Sequence, residues 1–141
     1  MKNKLLLIGV VVLIIMIVGF SLWVFLGIVE YSDKIKHETD TWAVIDDSKG
    51  DIIAVETIEL SVWDNLVGLC NNQTEIWIGG IVEEYDNYWG FRFRPDTIVI
   101  AEITIEGAQS NIQGISEDLN YWINIWAKET YVLSEVIEIH Q

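Results

Sequence analysis

The 141-residue chain is 51% hydrophobic and 21% charged, with one proline, which excludes a disordered tail or a low-complexity array. Its formal net charge of −14 excludes most nucleic-acid binders, because phosphate binding requires clustered Lys and Arg. The presence of one cysteine excludes an internal disulfide framework and a multi-cysteine zinc site.

The first 29 residues predict a membrane anchor. Residues 5–29 carry no charge, and about 20 apolar residues are enough for a helix to cross a bilayer. A cleaved signal peptide has a shorter apolar core and a small-residue cleavage site, so we expect an uncleaved signal-anchor. Lys2 and Lys4 precede this span, which favours a single-pass cell-membrane protein with its C-terminal domain outside.

Residues 30–41 mix charges of both signs without periodicity, and we expect them to form a linker. An acidic extracytoplasmic domain then occupies residues 42–141. Six basic and 22 acidic residues follow residue 29, a balance of −16. This charge favours cationic partners or, as the alternative, only solubility.

The first part of the domain predicts two strands and a helix. Short β-type runs at 42–45 and 52–56 flank a turn-rich stretch at 46–51, which is typical of a hairpin. An apolar stripe predicts a helix over 61–69, with Ser61 as its N-cap.

Three further strands follow. Residues 75–83 are apolar and include Gly79 and Gly80, which indicate a bulge or a close backbone approach. Residues 89–94 alternate aromatic side chains with Gly and Arg. Residues 98–106 have the strongest alternation, and we expect them to form a central strand.

The C-terminal part predicts an amphipathic helix over 115–127 and a final strand over 131–139. The helix should pack across the sheet through Leu119, Trp122 and Trp126. The element order indicates an α+β domain, a mostly antiparallel sheet with two helices packed on it.

Catalytic chemistry is weakly represented, and we expect no enzyme. Cys70 has as possible partners His37 and His140, which lie near the two ends of the domain, so a Cys–His nucleophile pair is disfavoured. Asn72 begins a glycosylation sequon in a predicted turn.

Acidic side chains offer weak candidates for a metal site. Asp46, Asp47 and Asp51 lie in the predicted turn, but the Gly50 register does not match an EF-hand loop. A polar hairpin turn is the alternative, and we assign no metal or other cofactor.

Five residues are candidates for a binding site. They are Trp89, Arg92, Arg94, Glu102 and Glu106. The two arginines leave the same face of one strand and would repel each other without carboxylates nearby. We therefore predict that Arg92 or Arg94 pairs with one of four acidic residues. These are Glu83, Glu84, Glu102 and Glu106.

A series of motifs resembles the domain of the calcium-regulated secreted protease-inhibitor family known from slime moulds. Residues 85–98 resemble its aromatic Asp-Pro segment, and residues 101–106 resemble the strand ending in Ile-Glu. Residues 78–82 are similar to its Gly-x-Ile-Val strand, and residues 118–122 to its Leu-Asp-Tyr-Trp helix. The resemblance covers about residues 51–137.

The resemblance implies the fold of that family and binding of a peptidase. Arg92 and Arg94 stand where the family has His and Asp, and the family's cysteine pair is absent. Calcium regulation is therefore not expected here.

Together these observations predict a membrane-anchored extracytoplasmic domain that binds a protein partner, in the manner of a peptidase inhibitor. The alternatives are a structural cell-envelope subunit and a metal-dependent hydrolase that uses clustered carboxylates. The membrane contact would be through residues 5–29.

Overall fold

A computed structural model describes residues 2–141 of the chain. The first helix, α1, spans Lys2–Lys34. Within it Leu6–Lys34 is 29 residues long and apolar enough to cross a membrane by length and composition, criteria that a signal sequence also meets. The chain divides into two compact units, one formed by this helix up to Asp33 and the other by Lys34–Gln141.

The segment predicted as a linker, residues 30–41, starts inside α1 and has partners in the domain. Residues 30–34 continue α1, where Lys34 in the last turn is favoured by the negative end of the helix dipole. Glu38 and Thr39 are hydrogen-bonded to Glu56. The sequence of this segment has no periodicity because its hydrogen-bond partners belong to other elements. Those partners could not be recognised from the segment alone.

The second unit is an α+β domain with a mostly antiparallel sheet, as predicted. The seven strands within residues 2–141 are β1 Trp42–Asp47, β2 Ile52–Val55, β3 Glu75–Glu84, β4 Phe91–Phe93, β5 Val99–Ala101, β6 Gln109–Ser110 and β7 Glu129–His140. The main strand order is β2-β1-β7-β3-β4, with β5 on β3 and β6 parallel to β7.

The strand at the centre of the sheet is β7. Its N-terminal half pairs with β3 and its C-terminal half with β1. The close approach predicted at Gly79 is confirmed, because a Cβ there would overlap the carbonyl group of Thr130 in β7.

The prediction of a central strand over 98–106 is wrong. Strand β5 ends at Ala101, which lies opposite Trp77 of β3. Continuing this antiparallel register would place Ile103 opposite Glu75, the first residue of β3. Residues 104–106 would then have no partner on β3, so the chain leaves the sheet in spite of its alternating pattern.

Helix α2 spans Leu60–Asn72 and packs on β7. Glu59 occupies the N-cap position, so the assignment of Ser61 as the cap is wrong and Ser61 lies inside the helix. Leu66 is fully buried on the predicted apolar stripe.

The single helix predicted over 115–127 is divided in two. Helix α3 spans Ile112–Glu117, and a π-helical turn spans Tyr121–Trp126. Asp118, with φ −137° and ψ 54°, ends α3. The wider turn still places Trp122 in the core, with Leu119 and Trp126 partly buried beside it, so the predicted packing is confirmed.

Candidate functional site

The five predicted binding residues do not form one site. Three of them lie on or beside β4, and the other two lie in the exposed stretch after β5. Two of the residues near β4, Trp89 and Arg92, contact a segment of the chain that precedes the domain's first strand.

Trp89 belongs to the core. Its ring is 7% exposed, and its Nε1 donates a hydrogen bond of 2.7 Å to the carbonyl oxygen of Ile52. The hydroxyl of Ser116 donates to the carbonyl oxygen of Trp89 at 2.7 Å. Trp89 therefore joins β2, the entry to β4 and α3.

Arg92 is the centre of a charged network, and its predicted pairing is confirmed. Its Nε donates to Glu83 at 2.7 Å, and its Nη1 lies 3.0 Å from Glu38 and 3.3 Å from Glu56. Its guanidinium lies over the Tyr85 ring at 4.4 Å. Burial disfavours the Arg92 charge, but the hydrogen bonds that Arg92 donates to Glu83 and Glu38 outweigh burial and raise its pKa.

Glu56 is the buried member of this network, with a side chain 3% exposed. Its Oε1 accepts hydrogen bonds from the backbone N–H groups of Glu38, at 2.8 Å, and Thr39, at 2.6 Å. The Thr39 hydroxyl donates to the same oxygen at 2.7 Å. A buried carboxylate is stable only when its oxygens are satisfied in this way.

We call residues 34–39 the strap, because they lie along this face of the domain. Lys36 pairs with Asp86 at 2.8 Å, and this hydrogen bond lowers the pKa of Asp86. The Lys34 ammonium lies 4.8 Å from the ring centroid of Tyr88 and 5.4 Å from that of Trp89, distances typical of cation–π contacts.

A stack of three rings connects the strap to the strands of the domain. His37 stacks on Trp42 with ring centroids 4.2 Å apart, and His140 stacks on Trp42 at 3.7 Å. The end of the strap is thus held against both β1 and the C-terminal end of β7.

Tyr85 lies within the same network. Burial, followed by the negative charges of Glu38 and Glu56, raises the pKa of its phenol. Among the described residues its hydroxyl is a buried side-chain group without a hydrogen-bond partner.

Arg94 lies on the same strand face but has a different environment. It forms a two-point pair with the adjacent Asp96, at 2.8 Å and 3.3 Å. The hydrogen bond from Arg94 lowers the pKa of Asp96. Both side chains are exposed, so this pair makes only a local contact.

Glu102 and Glu106 delimit what we call the isoleucine segment, residues 102–106. Ile103 is 86% exposed and Ile105 is 67% exposed, and both glutamates are exposed as well. A groove of about 380 Å³ adjoins this segment, between α2 and the edge of β5. Its lining includes Leu69, Ile76, Ile100, Asp64 and Glu102.

The acidic turn, residues 46–51, has a structural role at Asp47. Its Oδ1 accepts from the backbone N–H groups of Lys49 and Asp51, and its Oδ2 accepts from that of Ile112. Asp47 thereby holds the turn and the start of α3. Within residues 2–141 no group of three or more His, Cys, Asp and Glu side chains could hold a metal ion.

Asp46 begins a row of carboxylates across three strands. It lies opposite Glu135 of β7, which in turn lies opposite Glu75 of β3. Burial, then the charges of Asp47, Glu135 and Asp51, raises the pKa of Asp46. Burial and Asp47 raise the pKa of Asp51. Like charges in register destabilise a sheet.

Two other predicted positions are also located. Asn72 is exposed at the C-terminal end of α2, where a glycan would not meet the core. Cys70 is half-buried on the same helix and is a free thiol.

Sequence reasoning found Glu83 but missed Glu56 and Glu38 as partners of Arg92. They lie 36 and 54 residues from it along the chain. One signal was present: Glu56 is the first charged residue after the apolar run of β2.

The fold and the site together define an α+β domain that follows an apolar helix. No protein-family model, curated protein or solved structure matches the chain. The comparisons therefore support no family, and the resemblance to the protease-inhibitor family stays a prediction.

Proposed function

We propose that the chain is a single-pass, uncleaved membrane protein whose C-terminal domain, outside the cell, binds a protein partner through the isoleucine segment. The observation that carries this proposal is the exposure of Ile103 and Ile105, 86% and 67%. The adjoining groove is lined by both aliphatic and polar side chains, and exposed aliphatic side chains at such a place are typical of interaction surfaces.

The chemistry of this surface favours one kind of partner. Glu102 and Glu106 flank the isoleucines, and Asp64 lies at the groove. A second copy of the segment would meet the same negative charges. An extended partner segment with aliphatic side chains and basic flanks complements both features, and it could pair with the edge of β5.

Two short peptides test the proposal on the full-length chain in detergent micelles. The first has two valines between lysines, and the second has the same valines between glutamates. We expect the basic peptide to bind, more weakly as salt is added, and the acidic peptide to remain free. Fluorescence anisotropy of the labelled peptides measures both.

Two variants assign the binding to the surface. Ile103→Ser combined with Ile105→Ser should abolish binding, whereas Ile58→Ser, at an isoleucine 70% exposed elsewhere, should leave it unchanged. Equal binding of both peptides, or undiminished binding by the double variant, would contradict the proposal.

Peptidase inhibition is the more specific form of this function. It is supported by the family resemblance and by the exposed position of the isoleucine segment, which a peptidase cleft could reach. The test is a titration of peptidases that cleave after aliphatic residues. Stoichiometric inhibition that the Ile103→Ser and Ile105→Ser variant loses would support it, and rapid cleavage of the segment without inhibition would contradict it.

The anchor is tested separately by N-terminal sequencing of the mature protein from membranes. An intact N-terminus is expected, because the apolar run is long and lacks a cleavage site. A mature chain that begins near residue 30 would show a cleaved signal peptide.

A further inference from the structure

The strap is held through its backbone and through side chains, among them Ile35, which packs on Trp42, Val44 and Ala54. The N–H groups of Glu38 and Thr39 both donate to Oε1 of Glu56, an atom that the domain supplies. Side chains then add contacts on either side, from Lys36 to Asp86 and from Glu38 to Arg92.

The face beneath the strap has partners of its own. Arg92 keeps Glu83 at 2.7 Å and Glu56 at 3.3 Å without any strap residue. Trp89 keeps its hydrogen bond to Ile52. Loss of the strap contacts would therefore leave the arginine paired and the indole satisfied.

Glu56 is the group most changed by opening. Its Oε1 would lose three hydrogen bonds of 2.6–2.8 Å, while its Oε2 would keep Arg92. Opening would exchange these three bonds for bonds to water, so we expect the charge of Glu56 to affect how firmly the strap docks.

We infer that the strap is a detachable connection, which docks on the face formed by Tyr85, Trp89, Arg92 and Glu56 and opens as a unit. When the strap is docked, the Lys34 ammonium lies over the Tyr88 ring. When it is open, residues 35–41 become free chain, with a reach of roughly 23 Å.

Trypsin provides a direct readout, because the strap contains Lys34 and Lys36. The full-length chain in detergent micelles is digested briefly, and mass spectrometry measures cleavage after these residues relative to cleavage after Lys49. Lys49 lies in the exposed acidic turn and serves as the internal control. We expect cleavage in the strap to be much slower than cleavage after Lys49.

Glu56→Gln weakens the acceptor without changing its size. It should raise the ratio of strap to Lys49 cleavage about tenfold, because hydrogen bonds to a charged acceptor are the stronger kind. Asp96→Asn is the matched control, since it breaks the Arg94 pair away from the strap, and it should leave the ratio unchanged.

If Glu56→Gln unfolds the whole domain, cleavage after Lys49 will accelerate as much as cleavage in the strap. A second variant is used for that case. Glu38→Ala changes a side chain that is 62% exposed, and it should raise the ratio about twofold by removing one surface ion pair. Wild-type cleavage after Lys36 as fast as after Lys49, or a ratio that Glu38→Ala leaves unchanged, would overturn the inference.

Discussion

The strap and the isoleucine segment are both short, charged connections, yet the strap is hydrogen-bonded to a buried carboxylate and the isoleucine segment leaves its aliphatic side chains exposed. Two backbone N–H groups of the strap donate to a carboxylate that is 3% exposed. The isoleucine segment leaves two aliphatic side chains 86% and 67% exposed. The difference shows that partners elsewhere in the fold, and not a segment's own composition, decide whether it is held.

Where the neighbouring strands begin and end explains why the strap is hydrogen-bonded to Glu56 and the isoleucine segment is not paired with β3. β2 ends at Val55 and places Glu56 beside Arg92 of β4, so an acceptor faces the strap. β3 begins only at Glu75, so in the register of β5 residues 104–106 have no residue of β3 opposite them.

The largest effect should come from the core that both segments adjoin. Trp122→Ala removes a side chain that is 8% exposed and should cost about 3–5 kcal/mol of unfolding free energy. Urea denaturation of the full-length chain in detergent measures it. A loss below about 1 kcal/mol would place Trp122 at the surface. The stability of the two segments could then not be compared with that of a core residue.

The second effect tests whether the strap depends on its charged network. Arg92→Gln removes the cation between Glu83, Glu38 and Glu56 and should cost about 1–3 kcal/mol, since it leaves a buried carboxylate without its charged partner. Arg94→Gln is the control on the same strand face and should have no measurable effect, because its pair with Asp96 is exposed. Equal effects of the two variants would contradict the difference between their environments.

The fold class could be predicted because it depends on local patterns. Apolar runs and turns located β1, β2, β3 and β7, and the stripe through Leu66 located α2. The pairing of Arg92 with Glu83 could be predicted because the two residues lie on adjacent strands of one hairpin. Glu38 and Glu56 come from distant parts of the chain, so no local pattern could place them beside Arg92.

The end of β5 could not be predicted for a similar reason. The alternation over 98–106 is a property of that segment, whereas the number of residues that pair depends on where β3 starts. In the same way, the helical spacing of Leu119, Trp122 and Trp126 does not show that α3 ends at Asp118.

A smaller effect on stability is expected from the row of carboxylates that begins at Asp46. Unlike the carboxylates around Arg92, they form no salt bridge within the described residues. Glu135→Gln relieves the row formed with Asp46 and Glu75 and should stabilise the domain at pH 7 by about 0.2–1 kcal/mol. Because the folded-state pKa of Asp46 is raised, the folded protein keeps this proton to higher pH than the unfolded chain does. The row therefore destabilises the domain as pH rises from about 4.

The measurement is the difference in unfolding free energy between wild type and Glu135→Gln from pH 4 to pH 8. The difference should grow with pH, whereas Glu84→Gln, at an exposed carboxylate outside the row, should give a flat difference. If the difference in unfolding free energy becomes smaller as pH rises, the row of carboxylates is not what destabilises the domain.

The smallest effect on stability should come from the isoleucine segment itself. Ile103→Ser combined with Ile105→Ser should change the unfolding free energy by no more than about 0.5 kcal/mol, as expected for exposed positions without structural contacts. Amide hydrogen exchange of the wild-type chain gives an independent measure. The amides of residues 103–106 should exchange rapidly, whereas those of Glu38 and Thr39, which donate to Glu56, should be protected. A cost above about 1 kcal/mol together with slow exchange in 103–106 would mean that the segment is paired in solution, and the strap would then not be the better-held connection.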